Sequence, residues 1–266
     1  MGSPSASDFL LSTYKLILSY KGTHYFGWQA QPDQKTIQGE LDRCLKKIVK
    51  SEEVKTVGSG RTDAGVHALA QVVRADIPLE IEGEKLLRGL NSLLPEDIKV
   101  IECTSCGDSF HPIHSALNKT YQYYFSYGSE IPMMGRELLT YYRHQLDIAA
   151  MQKAASHFAG NHDFFNYFCT GTPVKTTERT VLNCKIIPTE LQLPLEKLDA
   201  YVLIIQGNGF LKQMVRLIMG GLYQVGRGKV SEQQIILSLK ERREQRIGPV
   251  APPQGLYLAE VVYPSN

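Results

Sequence analysis

The sequence predicts an α+β fold, two ferredoxin-like β-α-β-β-α-β units joined into one broad, mostly antiparallel sheet with helices on one face. Three observations carry that expectation. The first half of the chain switches between period-2 and period-3.6 hydrophobic patterns in the order β-α-β-β-α-β. The second half repeats the order with one helix added. Nowhere does an apolar run approach the ~18 residues a membrane span requires.

In chain order, Tyr14 to Tyr20 (YKLILSY) alternates apolar and polar residues and reads as a strand. Thr36 offers an N-cap, and Ile37, Leu41, Cys44, Leu45 and Ile48 recur at helical spacing, so 36–50 is expected to be an amphipathic helix. Val54 to Val57 and Leu69 to Ile77 read as strands. Glu84 to Leu94 reads as a helix stopped by Pro95, and Ile98 to Cys103 as the closing strand. In the second half, Ser115 to Tyr127, with the tyrosine-rich TYQYYFSY, is expected to form a long strand, followed by a helix from Asp147 to Phe158. Arg179 to Ile187 and Ala200 to Gln206 read as strands, Gly209 to Val225 and Ser231 to Glu244 as helices, and Leu256 to Tyr263 as the last strand. The expected organisation is a flexible tail over 1–12, an N-terminal α/β domain over 13–109 and a C-terminal α/β domain over 110–266.

Charged residues make up 21% and hydrophobic residues 43% of the chain, ordinary values for a soluble globular protein, and the net charge of +2 does not announce a nucleic-acid binder. Any basic surface must come from clustering. Residues 212–246 hold eight Lys/Arg against three Asp/Glu, a local balance of +5. There Lys212, Arg216, Gly220, Tyr223 and Arg227 form a stripe that reads either as a solvated helix face or as a phosphate-tracking surface. The odd number of cysteines favours free thiols over a disulfide framework, and the opening MGSPSASDFL lacks the pattern of a secretory signal, so the cytoplasm is the expected compartment.

GSGRTDAGVH, Gly58 to His67, concentrates the chemistry. It fails the dinucleotide fingerprint, because Asp63 stands where the third glycine belongs, and it lacks the Lys-Ser/Thr pair of a phosphate loop. Two readings remain: a glycine-permitted turn, or a turn that also holds Asp63 as a nucleophile or base with Arg61 keeping it ionised near a polyanion. A rival set, Cys103, Cys106, His111 and His114, has the spacing C-x2-C-x4-H-x2-H of four potential zinc ligands, although not the usual finger spacing. One tyrosine of the 121–127 run could stack on an extruded base.

Taken together these segments resemble the TruA-type tRNA pseudouridine synthases. YKGTHYFGWQAQPDQKTIQGEL (Tyr20 to Leu41) is similar to that family's opening, and GRTDAGVHA (Gly60 to Ala68) matches its catalytic motif. FHPIHSALNKTYQY, GNHDFFNY, GFLKQMVR and APPQGLYL follow in the family's order, so the resemblance spans roughly 14–263. Lys21, Ile113, Thr120 and Tyr167 depart from the pattern, replacing an acidic, a basic, a basic and a phenylalanine position respectively. The resemblance implies isomerisation of uridine to pseudouridine at uridines 38, 39 and 40 of the tRNA anticodon arm, by a homodimer with no organic cofactor and no catalytic metal. It puts Asp63 at the catalytic aspartate and Arg216 as its expected ion-pair partner. Tyr121 is expected to contact the target base and Arg61 to hold the nucleotide out of the stack, with Lys212 and Leu256 in the substrate-binding set. The alternatives are an RNA-binding protein of the same fold without turnover and a zinc-stabilised protein.

Overall fold

The computed structural model describes residues 11–128, 135–169, 174–192, 197–242 and 246–264. The expected tail lies outside them, apart from Leu11 and Ser12. The chain divides into two compact units: the described residues up to Ala116 with Tyr263 and Pro264, and Leu117–Val262. Among the described residues there are five α-helices, and the strand pairings within each unit are antiparallel with one exception, so the α+β class holds.

In the first unit β1 (Ser12–Tyr20), α1 (Ile37–Val49), β2 (Lys55–Gly58), β3 (His67–Ile77), α2 (Gly83–Leu93) and β4 (Ile98–Ser105) follow the expected β-α-β-β-α-β order. The sheet runs β4-β1-β3-β2. Tyr14, Leu16, Leu18 and Tyr20 are buried on alternate positions of β1, as are Ile37, Leu41, Cys44 and Leu45 of α1 and Leu86 and Leu90 of α2. Each fully buried aliphatic side chain contributes about 1.5–3 kcal/mol. Thr36 caps α1 as the sequence predicts, its hydroxyl accepting the Gly39 N–H at 3.2 Å. Leu94 ends α2 in an extended conformation, the one its proline neighbour favours.

The second unit holds β5 (Asn118–Tyr127), β6 (Thr140–Tyr142), α3 (Ile148–Ser156), β7 (Gly160–Asp163), β8 (Glu178–Gln192), β9 (Lys197–Gly207), α4 (Met214–Gly226), α5 (Glu232–Ser238) and β10 (Leu256–Val262). Its strands run β10-β5-β9-β8-β7, and β6 lies parallel to the end of β5. The first strand β5 therefore sits between the last strand β10 and the last but one, β9, as β1 sits between β4 and β3 in the first unit.

Several expected boundaries move. β5 starts at Asn118 rather than Ser115, and β8 runs on to Gln192, past Ile187. The short strands β6 and β7 have no period long enough to announce them. α4 begins at Met214, not Gly209, because Gln213 adopts a left-handed backbone (φ 61°) and Met214 N–H closes a turn on the Leu211 carbonyl at 3.1 Å. Phe210 therefore belongs to the approach to the helix and not to the helix itself. α5 stops at Ser238, and the expected end at Glu244 lies outside the described residues. The stop has a tertiary cause: the Asn166 amide donates to the carbonyls of Ser238 (2.6 Å) and Glu241 (2.7 Å).

Candidate active site

In the first unit the site is the turn that carries Asp63. Val66 N–H closes it on the Asp63 carbonyl at 3.1 Å, with Gly65 in the left-handed region at φ 78°. The turn reading was thus correct for the glycine, and the rest of the structure shows what the turn is attached to. Trp28 N–H donates to the Thr62 carbonyl (3.0 Å) and Gly65 N–H to the Tyr25 carbonyl (3.2 Å), so residues 25–28 bracket Asp63 on both sides. The Thr62 and Tyr20 hydroxyls lie 2.8 Å apart. Behind the turn, Gln71 Nε2 donates to the Gly60 carbonyl at 2.7 Å, and the Ser59 hydroxyl donates to Gln71 Oε1 at 2.7 Å.

This framework leaves Asp63 half-buried and Ala64 exposed, while Thr62 beneath them is buried. Asp63 is thus fixed through its backbone and keeps partial exposure. The segment Tyr20 to Gln29 is therefore a support for the turn, a role that sequence reading did not assign to it. Its one signal was the pair of glycines. At Gly22 an added methyl group would meet the Val66 carbonyl oxygen at 1.9 Å, and at Gly27 the Thr62 carbonyl oxygen at 2.6 Å.

Arg61 does not behave as expected. Its Nε–H donates to Gln29 Oε1 at 3.0 Å, and the exposed guanidinium forms no ion pair with Asp63. The physical reason is that Gln29, held in place by its own hydrogen bond to Gln38, offers the Arg61 Nε–H a fixed acceptor.

In the second unit Tyr121 is on β5 between Leu258 of β10 and Ile205 of β9. It is 8% exposed, and its ring meets Phe210 edge-on at 4.9 Å between centroids. Lys119, Tyr123 and Phe125 alternate with it on the same buried face. Burial lowers the affinity of the Lys119 ammonium for its proton. Sequence reading passed over Lys119, since a lysine on a strand is ordinarily solvated.

Arg216, on α4, donates from Nε to the Ala251 carbonyl at 2.8 Å, and the Tyr123 hydroxyl donates to the next carbonyl, Pro252, at 2.9 Å. Leu256, 6% exposed, pairs in register with Tyr123. The closing segment 251–256 thus gathers Arg216, Tyr123 and Leu256, while Lys212 stands exposed before the helix, its carbonyl accepting Cys169 N–H at 3.0 Å. The basic stripe is not a continuous solvent face. Gly220 is buried, so close to the Pro249 carbonyl oxygen that an added methyl group would lie 1.7 Å from it. Tyr223 stacks on Tyr142 at 4.1 Å, and the Arg227 guanidinium lies 5.6 Å from the Tyr223 ring.

The zinc reading fails on geometry. Among the described residues no three His, Cys, Asp or Glu side chains converge as metal ligands. Cys103 is buried, and burial is the main reason its thiol is pushed up to about 11. His111 Nδ1 accepts the N–H groups of Ile113 (3.2 Å) and His114 (3.3 Å). Tyr167, the departure from phenylalanine, uses its hydroxyl, which lies 2.6 Å from that of Ser238.

A family model described as tRNA pseudouridine synthase matches residues 16–114 and 154–264. Arg61 and Asp63 fall in the first stretch, Lys212, Arg216 and Leu256 in the second, and Tyr121 between them. The chain is similar to tRNA pseudouridine synthase A of Caldicellulosiruptor bescii, with 39% identity over 248 residues covering 93% of this chain and 98% of the relative. It is 40% identical over 250 residues to the protein of the same name from Thermoanaerobacter sp. strain X514, with 93% and 98% covered. The Bacillus pumilus protein is 38% identical over 252 residues, with 94% and 98% covered.

Proposed function

The chain belongs to the TruA family of tRNA pseudouridine synthases, which are isomerases, and from that premise we propose that it acts on uridines 38, 39 and 40 of the anticodon arm with Asp63 as its essential carboxylate. The observation that carries the reading is the bracketed turn, which fixes the Asp63 backbone from both sides and leaves the residue half-exposed.

The reaction balances within one nucleotide. The bond between N1 of the base and C1′ of the ribose breaks, a bond from C5 to C1′ forms, and the C5 proton is lost while N1 gains one. A carboxylate suits this chemistry as nucleophile or base, since both roles need an anion that a flipped nucleotide can reach. Flipping costs a few kcal/mol, which phosphate and stacking contacts must offset. Arg61 is proposed to hold the nucleotide out of the stack, and Tyr121 to pack on the target base. Arg216 is proposed to support the charge of Asp63, with Lys212 on the phosphate backbone and Leu256 against the substrate.

The protein is further proposed to work as a homodimer in the cytoplasm. Among the described residues no helix is long and apolar enough to cross a membrane, and the thiols of Cys44, Cys103, Cys106 and Cys184 are in no disulfide. Light scattering should return twice the chain mass of 29.8 kDa; a single chain mass at working concentration would remove the dimer. Mapping pseudouridine on unmodified tRNA tests the site of action: product confined to the anticodon arm is expected, and product elsewhere alone would overturn it.

A further inference from the structure

Gln29 leads from Arg61 back into α1, and the polarity of each link is dictated by the one before it. Gln38, 8% exposed on the first turn of α1, has its side-chain amide clamped by backbone at both ends. Its Oε1 accepts Ala30 N–H at 3.0 Å, and its Nε2 donates to the Thr56 carbonyl at 3.1 Å and the Thr56 hydroxyl at 3.2 Å. A backbone N–H can only donate and a carbonyl only accept, so the Gln38 amide has a single workable orientation. Its oxygen then faces Gln29, which must present its NH2 group, and does so at 2.8 Å. The remaining oxygen of Gln29 is left as an acceptor, and Arg61 Nε–H fills it at 3.0 Å. Asp42 anchors the far end by accepting the Thr56 hydroxyl at 2.5 Å.

The consequence lies in what Arg61 has left. With Nε used, its two Nη groups have no partner among the described residues. They form the planar fork that pairs two N–H groups with two phosphate oxygens. An exposed arginine ordinarily samples many rotamers, and holding Nε removes much of that freedom before substrate arrives.

We infer that Gln29, its amide orientation set by Gln38, is a positioning residue that aims the Arg61 fork at the backbone phosphate of the nucleotide being turned out. This rests on the proposed role of Arg61 and extends it. Gln29 acts through Arg61 and does not itself touch the reacting atoms.

A double-mutant cycle in single-turnover pseudouridine formation on unmodified tRNA tests it. Gln29→Leu is expected to slow product formation roughly tenfold, the scale of one hydrogen bond to a charged group. Its melting temperature should stay near wild type, because Gln29 is half-exposed, and its filter retention of tRNA should be little changed. Arg61→Ala is expected to lose more, and the double variant should be no slower than Arg61→Ala alone. A double variant slowed by the product of both factors would overturn the inference and leave the Arg61 reading standing. Wild-type turnover by Arg61→Ala would overturn that reading and the inference with it. Gln29→Met, close in length and without hydrogen-bonding amide groups, takes the place of Gln29→Leu in the cycle if the leucine variant melts early.

Discussion

Gly27 sits at φ 89°, where a methyl group would lie 2.6 Å from the Thr62 carbonyl oxygen and 3.1 Å from the Asp63 carbonyl carbon. Neither neighbour can retreat easily, since both are backbone of the turn that holds Asp63. Gly27→Ala is therefore expected to cost on the order of 1–3 kcal/mol through strain and to displace the turn. A denaturant melt and a turnover assay should register both losses, and wild-type values in both would show that the bracket does not position Asp63. Arg216 carries a different kind of dependence. Its Nε is taken by the Ala251 carbonyl. Arg216→Ala is expected to reduce turnover by roughly two orders of magnitude, as removal of a stabilising charge does, with little change in tRNA retention. Weakened retention with unchanged turnover would contradict the role proposed for it.

At the scale of elements, Asp163 at the end of β7 joins strand, turn and helix exit. It accepts the Thr177 hydroxyl, the Phe165 N–H at 3.1 Å and two Arg242 N–H groups at 3.0 and 2.9 Å. Burial pushes its carboxyl up, but the hydrogen bonds from Thr177 and Arg242 outweigh it and hold the group below the ordinary carboxylate range. A depressed folded-state value gives stability that is complete above the unfolded value of about 4 and lost as pH falls through the folded one. Asp163→Asn should therefore lower stability at neutral pH and flatten its decline below about pH 4. An unchanged acid profile would remove the latch. Ser231 gives α5 a full capping box with Gln234, and Ser231→Ala should cost about 1 kcal/mol by thermal melting. Where such local signals exist, the elements were legible: Thr36, Asp147 and Ser231 mark three helix starts by side-chain chemistry that acts within four residues. The start of α4 was not legible, because the left-handed Gln213 obeys no such local rule. The end of α5 was hidden for another reason, since its carbonyls are taken by Asn166, more than seventy residues away in sequence. The candidate site divides in the same manner. The glycine-flanked stretch drew attention to Asp63 and the family resemblance gave it a role, whereas the attachment of Arg61 to Gln29 depends on a relay through α1 that no spacing encodes.

For the whole molecule, the matched family residues run through both units, and the net charge of +2 leaves tRNA binding to local groups rather than to the overall field. Retention of tRNA is expected to weaken steeply with salt, log K falling in proportion to the number of phosphates neutralised. Lys212→Ala should make that slope shallower by about one; an identical slope would take Lys212 off the phosphate backbone. The family assignment makes the chain an isomerase, and its chemistry is proposed to rest on a single carboxylate held by the first unit. The most direct test is to incubate wild type and Asp63→Asn with unmodified tRNA and map pseudouridine chemically. The substitution keeps the size of the side chain and removes its charge and basicity, with one acceptor oxygen becoming an NH2 donor. Product in the anticodon arm with wild type and none with Asp63→Asn is the predicted result; turnover surviving the substitution would contradict it.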